Sequence, residues 1–322
     1  MHVITKMATS LLVVTALSTR AGEAPSVRGG VEGKVYTDWS ITFKDKTDPK
    51  HGFGNHRAYF GYKMTVAEKF VGRVMVDVGR VEPVTAIDTI IADGAAAEAS
   101  TSHDLRLEAY AKYAYLQIKN LIPLTTLTLG LQGRYQFKYQ EKFWGYRYLY
   151  KSFMDTYKYG SSADLGLGIK VSPLDRLTLH VNVENGEGYK KPQLDRSYKV
   201  SGGVRVVPVE QFQLYVYGDG MPAEGKETQV TAAGFVGVRP LENLKFGIEY
   251  DFQGNHKGSR EANLHGVSAY TSLSVASPAA IFARLDVLSR DDWDTAEKVI
   301  IGGLEYSPIS NLALAPNVRV TI

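Results

Sequence analysis

Between Leu177 and Glu184 the apolar residues Leu177, Leu179, Val181 and Val183 alternate with Thr178, His180, Asn182 and Glu184. A period of two belongs to a strand with one oily and one wet face. A proline turn (Ser172, Pro173, Asp175) precedes this run. Asn185, Gly186, Glu187 and Gly188, which tolerate positive φ, end it in a loop. The unit repeats, because turns at Pro123, Pro208, Pro240, Pro278 and Pro308 each lead into another alternating run. The hairpin recurs roughly every 30 to 50 residues. Proline has no amide hydrogen to give a ladder, so these six prolines mark strand ends and lie at one end of the structure.

The alternation predicts about fifteen strands. They fall near Lys34 to Phe43, Arg57 to Met64, Phe70 to Val78, Asp104 to Ile118, Thr125 to Tyr139, Ser162 to Val171, Leu177 to Glu184 and Tyr198 to Val207. They continue near Phe212 to Gly218, Thr228 to Val238, Leu244 to Phe252, Leu264 to Val275, Ile281 to Leu288, Lys298 to Tyr306 and Leu312 to Ile322. A long connection, Gly79 to Ser102, carries an Ala-rich patch, Ala92 to Ala99, suited to a turn or two of helix. A second, Glu141 to Tyr157, is crowded with aromatic and basic residues and has no lipid-facing alternation.

The two strand faces decide what the sheet is for. From Leu244 to Gln253 the oily positions are Leu244, Phe246, Ile248, Tyr250 and Phe252, while Lys245, Glu249, Asp251 and Gln253 fall opposite. Charged positions on strand after strand cannot line a dry core, since each uncompensated charge costs several kcal/mol there. Water therefore fills the interior and lipid covers the exterior: an all-β, transmembrane antiparallel β-barrel in a bacterial outer membrane. Tyr113, Tyr115, Tyr135, Phe137, Tyr139, Tyr250 and Phe252 are expected in its interfacial girdles.

Composition agrees. The 322 residues are 44% hydrophobic with 20 tyrosines and 31 glycines, and no apolar run approaches the ~20 residues of a membrane-spanning helix. Residues 1 to 21 read as a signal peptide, with Lys6 ahead of an apolar stretch from Met7 to Leu17 and small residues before a cut after Ala21 or Ala24. Residues 22 to 33 read as a flexible lead-in and 34 to 322 as the barrel. Removing the leader with Lys6 and Arg20 lowers the charge from 37 − 34 = +3 to 35 − 34 = +1. No nucleic-acid partner is implied. Cysteine is absent, so disulfides and thiolate metal sites are excluded.

Catalytic chemistry finds no footing. No G-x-S-x-G, H-E-x-x-H or P-loop pattern occurs. His180 is expected as a water-exposed wall residue, and Asp291, Asp292 and Asp294 as a solvated loop run. His51, His56, His103, His256 and His265 lie in or beside loops without a clustered partner in sequence. Glu184, Asn185 and Glu187 lack a full Ca²⁺ ligand loop. The chain is read as a non-enzyme with no cofactor, no catalytic residue and no metal. The residues expected to line or constrict the pore are Arg134, Lys138, Lys142, Trp144, Tyr146, Arg147, Tyr148, Lys151, His180, Arg205, Lys245 and Arg284. On the polar faces of the strands cations outnumber acids, which predicts a mild anion preference.

The NGEGY loop (Asn185 to Tyr189), Tyr198 with Ser201-Gly202, and YGSSADLGLG (Tyr159 to Gly168) resemble bacterial outer-membrane porins of the phosphate-selective porin O and P kind, from Lys34 onward. The resemblance implies a barrel of about sixteen strands, often trimeric, with one long loop folded into the pore. The acidic PEFGGD eyelet of general porins is missing after Tyr139. The expected function is passive diffusion of small hydrophilic solutes or ions through a water-filled channel, with outer-membrane lipid and lipopolysaccharide as surroundings and a homotrimer as assembly. The alternatives are a sugar-selective channel stacking pyranoses on Trp144, Tyr146, Tyr148 and Tyr150, and, further off, a loop-active hydrolase. With about fifteen strands visible the last one points away from the periplasm at Ile322, so either a strand is missing or the lead-in hides one.

Overall fold

The computed structural model describes residues 26–43, 50–80, 84–86, 100–102, 107–193, 195–222, 224–260 and 262–322. The leader, the Ala-rich patch, His103, Asp104 and Arg106 lie outside them. The strands are β1 (Val27–Thr42), β2 (Lys50–Val66), β3 (Phe70–Arg80), β4 (Val84–Ala86), β5 (Ser100–Ser102), β6 (Leu107–Lys119), β7 (Thr125–Gly133), β8 (Ala163–Leu174), β9 (Leu177–Glu184), β10 (Lys199–Val209), β11 (Phe212–Met221), β12 (Gln229–Leu241), β13 (Leu244–Gly254), β14 (Leu264–Ala276), β15 (Ala279–Arg290), β16 (Glu297–Ile309), β17 (Leu312–Leu314) and β18 (Asn317–Thr321). Two helices, α1 (Tyr135–Trp144) and α2 (Phe153–Thr156), fall between β7 and β8.

Sixteen strands form one antiparallel sheet in chain order, and β4 pairs only with β5. Both β17 and β18 pair with β16, so they are halves of one interrupted strand and the sheet has fifteen strand positions. The sheet curls on itself. Tyr148 packs its ring 6.4 Å from Tyr36 of β1 and hydrogen-bonds Glu305 of β16, reaching both margins. Among the described residues no ladder joins β1 to β17 or β18. β1 begins at Val27, opposite Val66, inside the segment expected to be a lead-in. The β2 backbone supplies ladder partners there, which outweighs the flexibility of Gly29 and Gly30.

Short turns and long loops separate to opposite ends. Pro123, Pro173, Pro208, Pro240, Pro278 and Pro308 all sit at the short-turn end, as the sequence required. Ile322 lies at the other end, where its backbone exchanges hydrogen bonds with Lys298. Along β13, Phe246, Ile248 and Tyr250 are exposed on the outside, whereas Glu249, Asp251 and Gln253 are buried on the inside. The same division holds on β9, with Leu179, Val181 and Val183 out and His180, Asn182 and Glu184 in. The oily core is therefore not between layers. It lies inside the barrel, where Phe137, Phe143, Trp144, Phe153, Met154 and Tyr159 of the α1–α2 segment meet Tyr215, Phe235, Tyr270 and Phe282 of the wall.

Two expectations are corrected by this core. The strand predicted over Thr125 to Tyr139 stops at Gly133, and α1 takes over. The period-two spacing of Tyr135, Phe137 and Tyr139 mimics a strand, but Gln136, Gln140, Phe143 and Trp144 share the helical spacing of a buried face. Tyr135, Phe137 and Tyr139 accordingly lie in the interior, and Tyr113 and Tyr115 border its cavity, so none of the five is a girdle residue.

Candidate functional site

The loop from 134 to 162 turns inward at Arg134, whose extended backbone caps α1. Its guanidinium is buried between two wall carboxylates, with Nε 2.8 Å from Glu184 and Nη2 2.9 Å from Asp164. Satisfying a buried charge on both sides fixes where the loop starts. α1 ends at Gly145 in the left-handed region (φ 84), where the amide donates to the Glu141 carbonyl. Beyond it, Arg147 pairs with Glu141 at 2.9 Å and with Asp155 at 3.2 Å, holding α1 and α2 together.

The wall is built to receive this loop. At Gly237 and Gly266 an added Cβ would fall 2.6 and 2.0 Å from the rings of Phe143 and Phe153. Absence of a side chain leaves the space those rings occupy. Trp144, 1% exposed, packs against Tyr270 and Phe282 and donates to the Tyr150 carbonyl at 3.0 Å. Polar clasps surround the aromatic contacts. Tyr146 and Ser272 share a 2.6 Å hydroxyl bond, Lys245 donates to the Trp144 carbonyl at 3.0 Å, and Gln253 donates to the Tyr159 carbonyl at 2.7 Å. Arg284 grips Asp286 with two 2.8 Å bonds and donates to the Lys151 carbonyl at 2.8 Å.

Beside the packed half lies an open one. A cavity of about 2630 Å³ is bordered by β1, β2, β3, β6 and β7, by the outer face of α1 and by β17–β18. Its cations are Lys34, Arg73, Lys112, Arg134, Lys138, Lys142, Arg147 and Arg319, and its acids are Asp38 and Glu141. Both acids are matched, Asp38 by His56 at 2.9 Å and Glu141 by Arg147. Arg73 is matched by Glu32 at 2.7 Å, while Lys112 is buried, with Nζ 2.5 Å from Ser162 Oγ and over the ring of Tyr189. Lys34, Lys138, Lys142 and Arg319 have no carboxylate partner among the described residues, although Lys138 rests on Tyr135 and Arg319 on Tyr150. Lys138 reaches the cavity, yet crowding by protein, with Lys170 and Lys142 nearby, brings its pKa down to about 8.

The sequence-chosen residues thus divide. Lys138, Lys142, Arg147 and Tyr148 border the cavity. Trp144, Tyr146, Lys245 and Arg284 belong to the loop-to-wall contact, as does the backbone of Lys151. Arg205 binds Gln213 and covers Tyr139. His180 is 2% exposed rather than open to water: Tyr135 of α1 stacks on it at 4.2 Å, and Tyr215 bonds its Nε2 at 2.9 Å. A wall position is wet only where the loop does not cover it. Tyr36, Tyr59 and Tyr113 border the cavity without having been chosen, as do Lys34, Arg73 and Arg319, which the polar strand faces include but do not single out. The inward alternation of β1 to β6 and of β18 was the signal that could have found them.

Comparison with known proteins adds the fold. No family model matches, and no curated protein matches by sequence. Among solved structures, the anion-selective porin from Comamonas acidovorans aligns with a TM-score of 0.64 at 10% identity, over 91% of this chain and 88% of that one. OmpF of Salmonella typhi, in complex with daunomycin, aligns at 0.60 and 8% identity, over 92% and 90%. The outer-membrane channel DcaP of Acinetobacter baumannii aligns at 0.58 and 9%, over 94% and 92%. At such identities the likeness is one of fold: an antiparallel barrel of the porin type.

Proposed function

We propose that this chain is an outer-membrane porin, a water-filled channel through which small hydrophilic solutes diffuse passively, with a preference for anions. One observation carries the preference: of the two acids bordering the open cavity Glu141 is paired with Arg147 and Asp38 contacts His56, while Lys34, Lys138, Lys142 and Arg319 have no carboxylate partner among the described residues. In an aqueous passage about as wide as the ~8 to 10 Å Debye length, such charge acts on every passing ion. The apolar outer faces of the strands support a lipid setting, and the porin-type fold supports the channel. The NGEGY loop supports kinship with the phosphate-selective porins O and P; its Gly186 amide donates to Asp164, the carboxylate that also holds Arg134. Contact of the loop rim with lipopolysaccharide and assembly as a trimer belong to the same proposal.

The sugar-selective alternative is weakened, because Trp144 and Tyr146 spend their faces on the wall. The test is the zero-current potential of the purified protein in a planar bilayer across a tenfold KCl gradient. An anion-selective value that declines as salt rises is expected. A cation-selective value overturns the preference, and a lack of stepwise conductance overturns the channel.

A further inference from the structure

The open cavity is aromatic as well as cationic, and its rings are not alike. Arg73 lies 4.6 Å from the centroid of Tyr113, and Lys138 lies 4.3 Å from that of Tyr135. Those faces already hold a cation. Tyr36 and Tyr59 differ, for among the described residues neither carries a cation on its face. They meet edge to face at 6.0 Å, and Tyr148 of the loop closes one side at 6.4 Å from Tyr36. All three are half-buried and border the cavity. Lys34, opposite Tyr59 in the β1–β2 ladder and two residues before Tyr36, stands on the same face as both. An ammonium without a carboxylate partner thus flanks an aromatic corner with room beside it.

We infer that this corner is a binding subsite for small aromatic carboxylates on their way through the channel. The carboxylate meets Lys34, and the ring packs offset or edge-on against Tyr36 and Tyr59, as aromatic pairs prefer. A bare inorganic anion uses the lysine and leaves the rings idle. A neutral sugar uses the rings and leaves the charge idle. An aromatic acid uses both, which is the chemistry that an unmatched cation beside uncovered π-faces selects. The inference rests on the anion-channel reading and adds a ligand class to it.

The experiment measures block of chloride current through the full-length channel in planar bilayers by benzoate and by cyclohexanecarboxylate, acids of equal charge and similar size of which only the first has a π-face. Benzoate is expected to half-block at a concentration about three- to tenfold lower. In Tyr36→Leu/Tyr59→Leu that ratio falls to near one while the KCl zero-current potential persists. Lys34→Gln weakens both acids and keeps the ratio. Equal block by the two acids in the native channel overturns the subsite and leaves the anion reading intact. That comparison needs no variant, so a double mutant that fails to assemble does not protect the idea. A cation-selective native channel overturns both.

Discussion

The interior has two halves made from the same kind of strand. From β9 to β16 the inward positions are covered by the α1–α2 segment, so His180, Lys245, Glu249, Asp251 and Arg284 are taken up in packing and hydrogen bonds or buried beneath the loop. From β1 to β7 part of the wall stays open: Lys34, Tyr36, Tyr59 and Arg73 border the cavity, whereas Asp77, Lys112 and Gln132 are buried, and Lys34 on this side has no carboxylate partner among the described residues. Polar alternation alone does not make a residue part of a passage. What decides is whether another segment of the chain settles on it, and here one loop divides the wall into a foundation and a working surface.

The sharpest way to break this division is at the loop's first residue. Arg134→Ala leaves Asp164 and Glu184 buried without their shared partner, a loss of about 3 to 5 kcal/mol for a broken buried pair, whereas Lys34→Ala on the open side should leave stability within about 0.5 kcal/mol. Urea unfolding in lipid vesicles followed by tryptophan fluorescence measures both; similar losses would mean that the halves are not different in kind. Next in size, deleting Trp144 to Tyr150 should empty part of the packed half and roughly double the single-channel conductance. An unchanged conductance would place this segment outside the conducting path.

Charge should matter on one side only. Reversing Lys138 and Lys142 to glutamate is expected to cut the anion preference by roughly half or more at low salt. Arg205→Gln, whose charge is occupied with Gln213 and Tyr139, should move the zero-current potential much less. The smallest effect concerns pH. Lys138 loses its proton as pH rises through about 8, so the anion preference should weaken between pH 7 and pH 9, and Lys138→Arg should remove most of that change. A preference that strengthens over this range would contradict the assignment.

The barrel was legible because its rule is repeated: the strands alternate, the short turns after β3 carry proline at or beside them, and charge on one face excludes a dry core. The strand count, the end where the prolines lie and the outward faces of β9 and β13 follow from that rule. The loop was less legible. Tyr135, Phe137 and Tyr139 satisfy a strand's period, while the helical spacing of Gln136, Gln140, Phe143 and Trp144 runs through the same stretch, and only the wall glycines Gly237 and Gly266, far away in sequence, say that loop rings must dock there. His180 was misread for the same reason: its local pattern was right, but its cover comes from a segment some forty residues earlier. Lys34, Tyr36 and Arg319 were visible as inward positions, but nothing local ranks one inward position above another.

The clasp between loop and wall also bears on the order in which the molecule is made. Tyr146 finds Ser272 across 126 residues of sequence, and Tyr148 finds Glu305 across 157. Neither partner exists as a surface until β14 and β16 have joined the sheet. Contacts so distant along the chain come late, because the entropy of closing the intervening chain has to be met before they form. The loop, although encoded before the midpoint of the polypeptide, is therefore among the last parts to be set. Until then its rings are exposed, so the interval before docking is when the nascent barrel is most open to proteases and to aggregation.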